Sequence, residues 1–311
     1  MQTMQCMEVW GGNGLVDSGV SMAGLDAWVF SRPYGQSATG GDVHYVSSCA
    51  TGRITRLLVA DVSGHGAEVA DIAANLRRLM RRFINYIDQN AFVREMNGQF
   101  SALSESGRFA TALVTTFFAP TNEVSVCNAG HPPPLHYSAK KRTWTVLESA
   151  SREAASGANI PLGIADLGDY EQFGVRLAVG DLVLCYTDSL IESRAADGSM
   201  LGMQGLLEIA RGVEAGNPTE FVHALLEAVA KAHEGNLDGD DVTVLLFRPN
   251  GMSPCVPIRD RILAPLRIIR SLARSAARGG GDGGFPEISV PAIGGALMSR
   301  FNRRTGMTRE P

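Results

Sequence analysis

The run Arg56-Leu57-Leu58-Val59-Ala60-Asp61 is continuous enough in apolar character to be a buried strand, and it breaks abruptly at Ser63-Gly64-His65-Gly66. After the break, Val69, Ile72, Ala73, Leu76, Met80, Phe83 and Ile87 recur at helical spacing. A buried strand, a glycine-rich turn and a long amphipathic helix therefore follow one another. The glycines suit a turn that needs close backbone approach or positive φ.

Similar patterns surround this unit. Leu25–Phe30 and Val43–Ser48 read as strands, separated by a loop ending in Gly40-Gly41-Asp42. A second helix is expected over Ala91–Leu103, with Val93, Met96, Phe100 and Leu103 on one face, and then a strand over Phe109–Phe118. Thr121-Asn122-Glu123 turns that strand into a hairpin with Val124–Cys127, and the small, polar stretch Ser149–Gly157 reads as a loop. Gly180-Asp181 precedes a strand at Leu182–Thr187, helices follow at Gln204–Ala210 and Pro218–His233, and Val242–Phe247 closes the series. Hairpin-like strand groups with helix pairs between them give an α+β layered sandwich. For 311 residues this implies an N-terminal extension over 1–23, one domain over 24–249 and a tail over 250–311.

Charge divides the chain. Residues 1–250 hold 18 Lys and Arg against 28 Asp and Glu, whereas 251–311 hold 10 Arg against 4 acids. An acidic domain is ill suited to holding nucleic acid through its phosphates, so no nucleic-acid partner is expected. The five cysteines, Cys6, Cys49, Cys127, Cys185 and Cys255, are scattered and never form a C-x-x-C pair, which argues against a disulfide framework or a thiolate zinc site and favours a reducing cytoplasm. Met1–Val9 lacks the features of a leader, and no stretch of 18 apolar residues occurs.

Carboxylates recur where the expected strands end: Asp42, Asp61, Asp188 and the pair Asp240-Asp241. Any one of them alone is more simply a turn former. As a set converging at one sheet edge they would repel one another unless cations intervened, and oxygen ligands without His or Cys select Mg²⁺ or Mn²⁺. A two-metal hydrolytic centre is the expectation.

These residues belong to an ordered series: Gly40-Gly41-Asp42, Ala60-Asp61-Val62-Ser63-Gly64-His65-Gly66, Asn128-Ala129-Gly130-His131-Pro132-Pro133-Pro134, Pro161-Leu162-Gly163, Gly180-Asp181, Tyr186-Thr187-Asp188 and Asp240-Asp241-Val242-Thr243. The series resembles the PPM, or type 2C, metal-dependent protein phosphatases, in particular their SpoIIE-like bacterial branch, over residues 24–248. The resemblance implies a four-layer α-β-β-α sandwich of two antiparallel sheets flanked by helices, with two Mn²⁺ or Mg²⁺ ions at one edge. By motif, Asp61 would bridge the ions, the carbonyl of Val62 would bind one, Asp188 and Asp240 would hold the other, and Asp42 would join the cluster. A metal-bridging hydroxide would then attack phosphorus in line, without a phosphoenzyme.

Other residues are accessory candidates in this reading. Asp241 is a ligand or only the cap beside one, and ranks after Asp240. His65, placed differently from the histidine of eukaryotic relatives, takes a structural role in preference to that of a general acid, and His131 reads as a turn residue. Arg32 either contacts phosphate or is simply solvated, as is the run Arg77, Arg78, Arg81 and Arg82. Thr187-Asp188-Ser189 departs from the usual Thr-Asp-Gly, so the turn after the ligand loses freedom. In relatives the helices after the Asp61 motif act as a switch, which makes Ala67–Ile87 the candidate regulatory element.

The function implied is dephosphorylation of phosphoserine or phosphothreonine in a partner, for this branch an anti-anti-sigma (STAS) protein. Two alternatives stand beside it: a phosphatase of another phosphoprotein or small phosphoester, and a catalytically weak binding module. Within the tail, Arg259–Ala277 sets Ile262, Leu263, Leu266, Ile269 and Leu272 among arginines around Pro265. A short helix on the protein's own surface is the plainer reading, and contact with an anionic membrane the alternative.

Overall fold

A computed structural model of the protein describes residues 1–4, 8–35, 37–48, 52–64, 69–83, 88–103, 107–149, 159–164 and 170–252. Its strands are β1 (Gln2–Thr3), β2 (Val9–Gly14), β3 (Val16–Met22), β4 (Leu25–Arg32), β5 (Thr39–Ser48), β6 (Ile54–Val62), β7 (Ala110–Phe118), β8 (Glu123–Ala129), β9 (Leu135–Ser138), β10 (Thr143–Val146), β11 (Gln172–Arg176), β12 (Leu182–Tyr186) and β13 (Val242–Pro249). The helices are α1 (Ala70–Phe83), α2 (Gln89–Leu103), α3 (Ser189–Glu192), α4 (Gly202–Gly212) and α5 (Pro218–Ala232). One sheet runs β1-β3-β4-β13-β12-β9-β10 and the other β11-β8-β7-β6-β5-β2. All their pairings are antiparallel except that of β1 with β3.

Strand periodicity sorts the side chains into layers. On β6, Leu57 and Val59 point into an inter-sheet core with Val46, Leu113, Val183, Cys185, Leu245 and Phe247. Leu58, Ala60 and Val62 point the other way and meet Leu76, Met80 and Phe83 of α1 and Phe92, Met96 and Phe100 of α2. A third core packs Leu184, Tyr186, Val244 and Leu246 against α4 and α5, where Trp144 stacks on Phe221 at 4.9 Å. The expected α-β-β-α sandwich is therefore present. Among the described residues no helix is long and apolar enough to cross a membrane.

The boundary expected at residue 23 is corrected by β1 to β3. β3 pairs with β4 along its length, and β2 pairs with β5, so β1 and β3 are members of one sheet and β2 of the other. The segment Val9-Trp10-Gly11-Gly12-Asn13-Gly14 lacks alternating apolar residues and so does not read as a strand. Its glycines serve packing: a Cβ on Gly11 would lie 2.7 Å from the carbonyl oxygen of His44.

Candidate metal centre

The inter-sheet core is apolar along most of its length and polar at one end, and strand parity decides which residues line that end. Asp42 shares the face of Val46 on β5, and Asp61 shares the face of Leu57 and Val59 on β6. Val43 pairs with Ala60, which sets Asp42 and Asp61 side by side at the next position. From the other sheet, Thr187 continues the inward row of Val183 and Cys185, and Thr243 and Asp241 continue that of Leu245 and Phe247. Asp188 and Asp240 flank these threonines at the ends of the paired strands β12 and β13.

Hydroxyl groups knit the two sheets together here. Thr187 donates its Oγ1–H to Oδ2 of Asp42 at 2.9 Å and accepts the amide of Thr243 at 3.0 Å. Thr243 Oγ1 and Ser31 Oγ are hydrogen-bonded at 2.9 Å. Asp42 is only 3% exposed. Its carboxyl is held well above the usual range, mainly by burial, with Asp241 and Asp188 adding repulsion and the hydroxyls of Thr243 and Thr187 opposing it.

Asp61 is raised to about 10, first by burial and then by the charges of Asp42, Asp188, Asp240 and Asp241. Burial also raises Asp188, opposed by the amide of Ser189. Glu192 lies one helical turn beyond Asp188 on α3 and is raised by burial and by Asp188 and Asp240. Among the described residues no three His, Cys, Asp or Glu side chains close into a ready ligand set. The carboxylates are thus gathered within electrostatic reach but spread apart, as mutual repulsion demands. Their all-oxygen donor chemistry fits a hard divalent cation and supplies no soft ligand.

The structure also assigns neighbouring positions. Both oxygens of Asp241 accept backbone amides, from Tyr34 at 2.6 Å and Gly41 at 2.7 Å, so this buried carboxylate braces the start of β5, which carries Asp42. Gly40 must lack a side chain, because its Cβ would fall 2.3 Å from Oδ1 of Asp241. Arg32 is turned away from the aspartates: its guanidinium donates to the carbonyl of Leu237 and lies 3.7 Å from Asp238. His65 lies outside the described residues, as do parts of Ala67–Ile87, nearly all of the Ser149–Gly157 loop and the whole of Arg259–Ala277. Ser189 opens α3 without a positive φ, so the missing glycine after Asp188 leaves that turn unstrained.

His131 is 4% exposed and its ring is pushed down to about 3 by burial, which keeps it neutral. Its Nδ1 is 2.8 Å from Thr111 Oγ1, and Thr111 pairs with Asp61 across β6 and β7. Its peptide is clamped by Asn128, whose Oδ1 accepts the His131 amide and whose Nδ2 donates to the His131 carbonyl, both at 2.7 Å. Gly180-Asp181 stands apart from the site, where Asp181 caps a turn by accepting the amides of Ala139 and Ala178. Thr187, Thr243 and Glu192 received no role from the sequence. The parity of the two threonines with the inward apolar rows, and the spacing of Asp188 and Glu192, were the signals available.

Comparison with known proteins shows the family. Residues 51–250 match the family model described as Stage II sporulation protein E (SpoIIE). The chain is 24% identical over 225 residues to the phosphoserine phosphatase RsbU of Bacillus subtilis (strain 168), covering 72% of this chain and 63% of that protein. It thus spans less than two thirds of that relative's length. Among solved structures, the RsbU and RsbW domains of a Mycobacterium tuberculosis protein superpose with a TM-score of 0.62 at 22% identity, over 84% of this chain and 71% of that one. RsbX in complex with magnesium superposes with a TM-score of 0.54 at 14% identity, over 75% of this chain and all of that one. With the family model covering more than half of its 311 residues, the chain belongs to the SpoIIE family.

Proposed function

We propose that this protein is a divalent-metal-dependent phosphatase of phosphoserine or phosphothreonine in a partner protein. The observation that carries the reading is the elevation of Asp61, by burial and then by four other aspartates brought from two sheets. Such an arrangement is costly unless cations occupy it. Asp61, the carbonyl of Val62, Asp188 and Asp240 would hold two Mn²⁺ or Mg²⁺ ions, with Asp42 beside them. Bound there, the ions would neutralise phosphoryl oxygens and lower the pKa of water enough for it to attack phosphorus near neutral pH.

The chain's own residues supply the frame. Thr187 and Thr243 orient Asp42, and Asp241 holds Gly41 and therefore the backbone before Asp42. Likeness to a phosphoserine phosphatase and to the SpoIIE family supports a phosphorylated regulatory protein as substrate, an anti-anti-sigma (STAS) protein being the proposed example. The described cysteines, Cys127 and Cys185, are free and buried, consistent with a cytoplasmic setting.

A weakly active binding module of the same fold is the second reading, favoured by the open spacing of the carboxylates. Phosphate release from a phosphoserine protein separates the two. The phosphatase reading expects turnover with Mn²⁺, none after chelation, and none from Asp61→Asn. A chain that binds the phosphoprotein but releases no phosphate under any metal condition would establish the binding module.

A further inference from the structure

Beside the acidic centre two large apolar side chains stand in the open: Phe109 is 39% exposed and Ile164 is 56% exposed. Phe109 is fixed to the turn that follows Asp61. Ser63 donates its amide to the carbonyl of Phe109 at 2.9 Å, and Phe109 returns its own amide to Ser63 Oγ at 3.1 Å. Arg108 adds a third bond, donating Nη1 to the carbonyl of Ser63 at 3.2 Å.

Ile164 is anchored through its neighbours. Ala110 and Leu162 exchange amide-to-carbonyl bonds at 2.9 and 2.7 Å, joining this segment to the start of β7. Gly163 donates its amide to Oδ1 of Asn97 at 2.8 Å, and Asn97 on α2 is 1% exposed. Gly163 takes φ of +89°, and a Cβ on it would meet the Arg108 carbonyl and the Phe100 ring, each at 3.1 Å. The two apolar side chains are therefore displayed by backbone that is pinned on several sides. Large apolar groups held open on fixed backbone at the edge of a polar site are suited to receive an apolar side chain of a bound partner.

We propose that Phe109 and Ile164 form an apolar lip that receives an aliphatic or aromatic side chain next to the phosphorylated residue of the substrate protein. This rests on the phosphatase reading of the aspartates. A phosphate presented to Asp61 brings its own chain across Ser63 and Gly64, two and three positions further on. Residues one or two places from the phosphoserine lie within about 7 Å of it along an extended chain, and the lip stands at that flank. The occupant is thus a phosphorylated protein segment, selected by its apolar neighbour as well as by its phosphate.

The test uses the full chain with Mn²⁺ and two phosphoserine peptides that differ only in carrying Leu or Ser beside the phosphoserine, together with para-nitrophenyl phosphate. The wild type is expected to favour the Leu peptide in kcat/KM by about 10-fold or more, through KM. Ile164→Ser and Phe109→Ser should each bring that ratio toward 1, and Ile164→Leu should restore it. Because the readout is a ratio of two substrates on one protein, a general loss of activity does not imitate it. Equal rates on the two peptides by a wild type that hydrolyses the aryl phosphate, or an unchanged preference in both serine variants, would overturn the lip. A wild type inert toward all three substrates would instead overturn the phosphatase reading beneath it.

Discussion

The hydroxyl of Thr187 donates to Oδ2 of Asp42 at 2.9 Å, and this contact joins the end of β12 in one sheet to β5 in the other. The same oxygen accepts the amide of Thr243, so one side chain satisfies two buried groups. Thr187→Val keeps the shape and removes both bonds. Leaving a buried amide without its acceptor costs about 1–3 kcal/mol, or several degrees in Tm for a domain of this size. Asp42 would also lose one of the two hydroxyls that favour its charged form, so Mn²⁺ affinity should fall, whereas Thr187→Ser should preserve both properties. Urea unfolding with a Mn²⁺ titration measures the pair, and a Val variant equal to wild type in both would contradict the assignment.

Asp240 and Asp241 are adjacent in sequence and predicted to differ in consequence. Asp241 accepts two amides and is 2% exposed, so Asp241→Asn turns an NH₂ group toward one of those donors and should destabilise the fold by about 1–3 kcal/mol. Asp240→Asn should leave stability near that of wild type and lower activity by at least about 100-fold, since Asp240 is a proposed metal ligand. Thermal melting and phosphate release on both variants separate brace from ligand, and the reverse pattern would exchange the two roles.

Gly40→Ala brings a methyl group within 2.3 Å of the Asp241 carboxylate, which is itself held by backbone on both oxygens. Neither partner can yield cheaply, and a loss of about 1–3 kcal/mol is expected. Combining it with Asp241→Asn should cost clearly less than the sum of the two single changes, because both act on one contact. Strict additivity in a denaturation cycle would reject that coupling.

Asp61 is raised from an ordinary 3.8 to about 10 in the folded chain without metal. Between those values the folded state keeps a proton that the unfolded state has released. Stability from this group is therefore complete below about pH 4 and is lost as pH climbs toward 10, at up to about 1.4 kcal/mol per pH unit. The chelated protein should melt at a lower temperature at pH 8 than at pH 5.5, and Asp61→Asn should flatten the slope. Mn²⁺ at about 100 times its Kd should add roughly 2.7 kcal/mol and raise the pH 8 value most. A chelated protein that gains stability between pH 5.5 and pH 8 would contradict the assignment.

Much of this was legible because strand periodicity and function share one register. The apolar runs of β5, β6, β12 and β13 stand out, and each has a residue of the acidic centre at or beside one end. What remained hidden depends on contacts between distant segments. In β2, Gly11 lies against the carbonyl of His44 and Gly14 against that of Ala38, reasons that no local pattern carries. β11 is exposed on alternate residues, and β9 and β10 have four residues each, so their apolar signal is short. The roles of Thr187 and Asp241 appear only once both sheets are stacked, since their partners lie 145 and 200 residues away. The direction of Arg32 is set in the same way, by the loop at Leu237 and Asp238.

Calorimetric titration of Mn²⁺ into the chelated full chain, with Asp61→Ala and Asp188→Ala in parallel, tests most directly whether these aspartates form a metal centre. Binding of two ions by the wild type, sharply weakened in both variants, is the predicted result. No binding by the wild type, or binding that both variants retain unchanged, would contradict it.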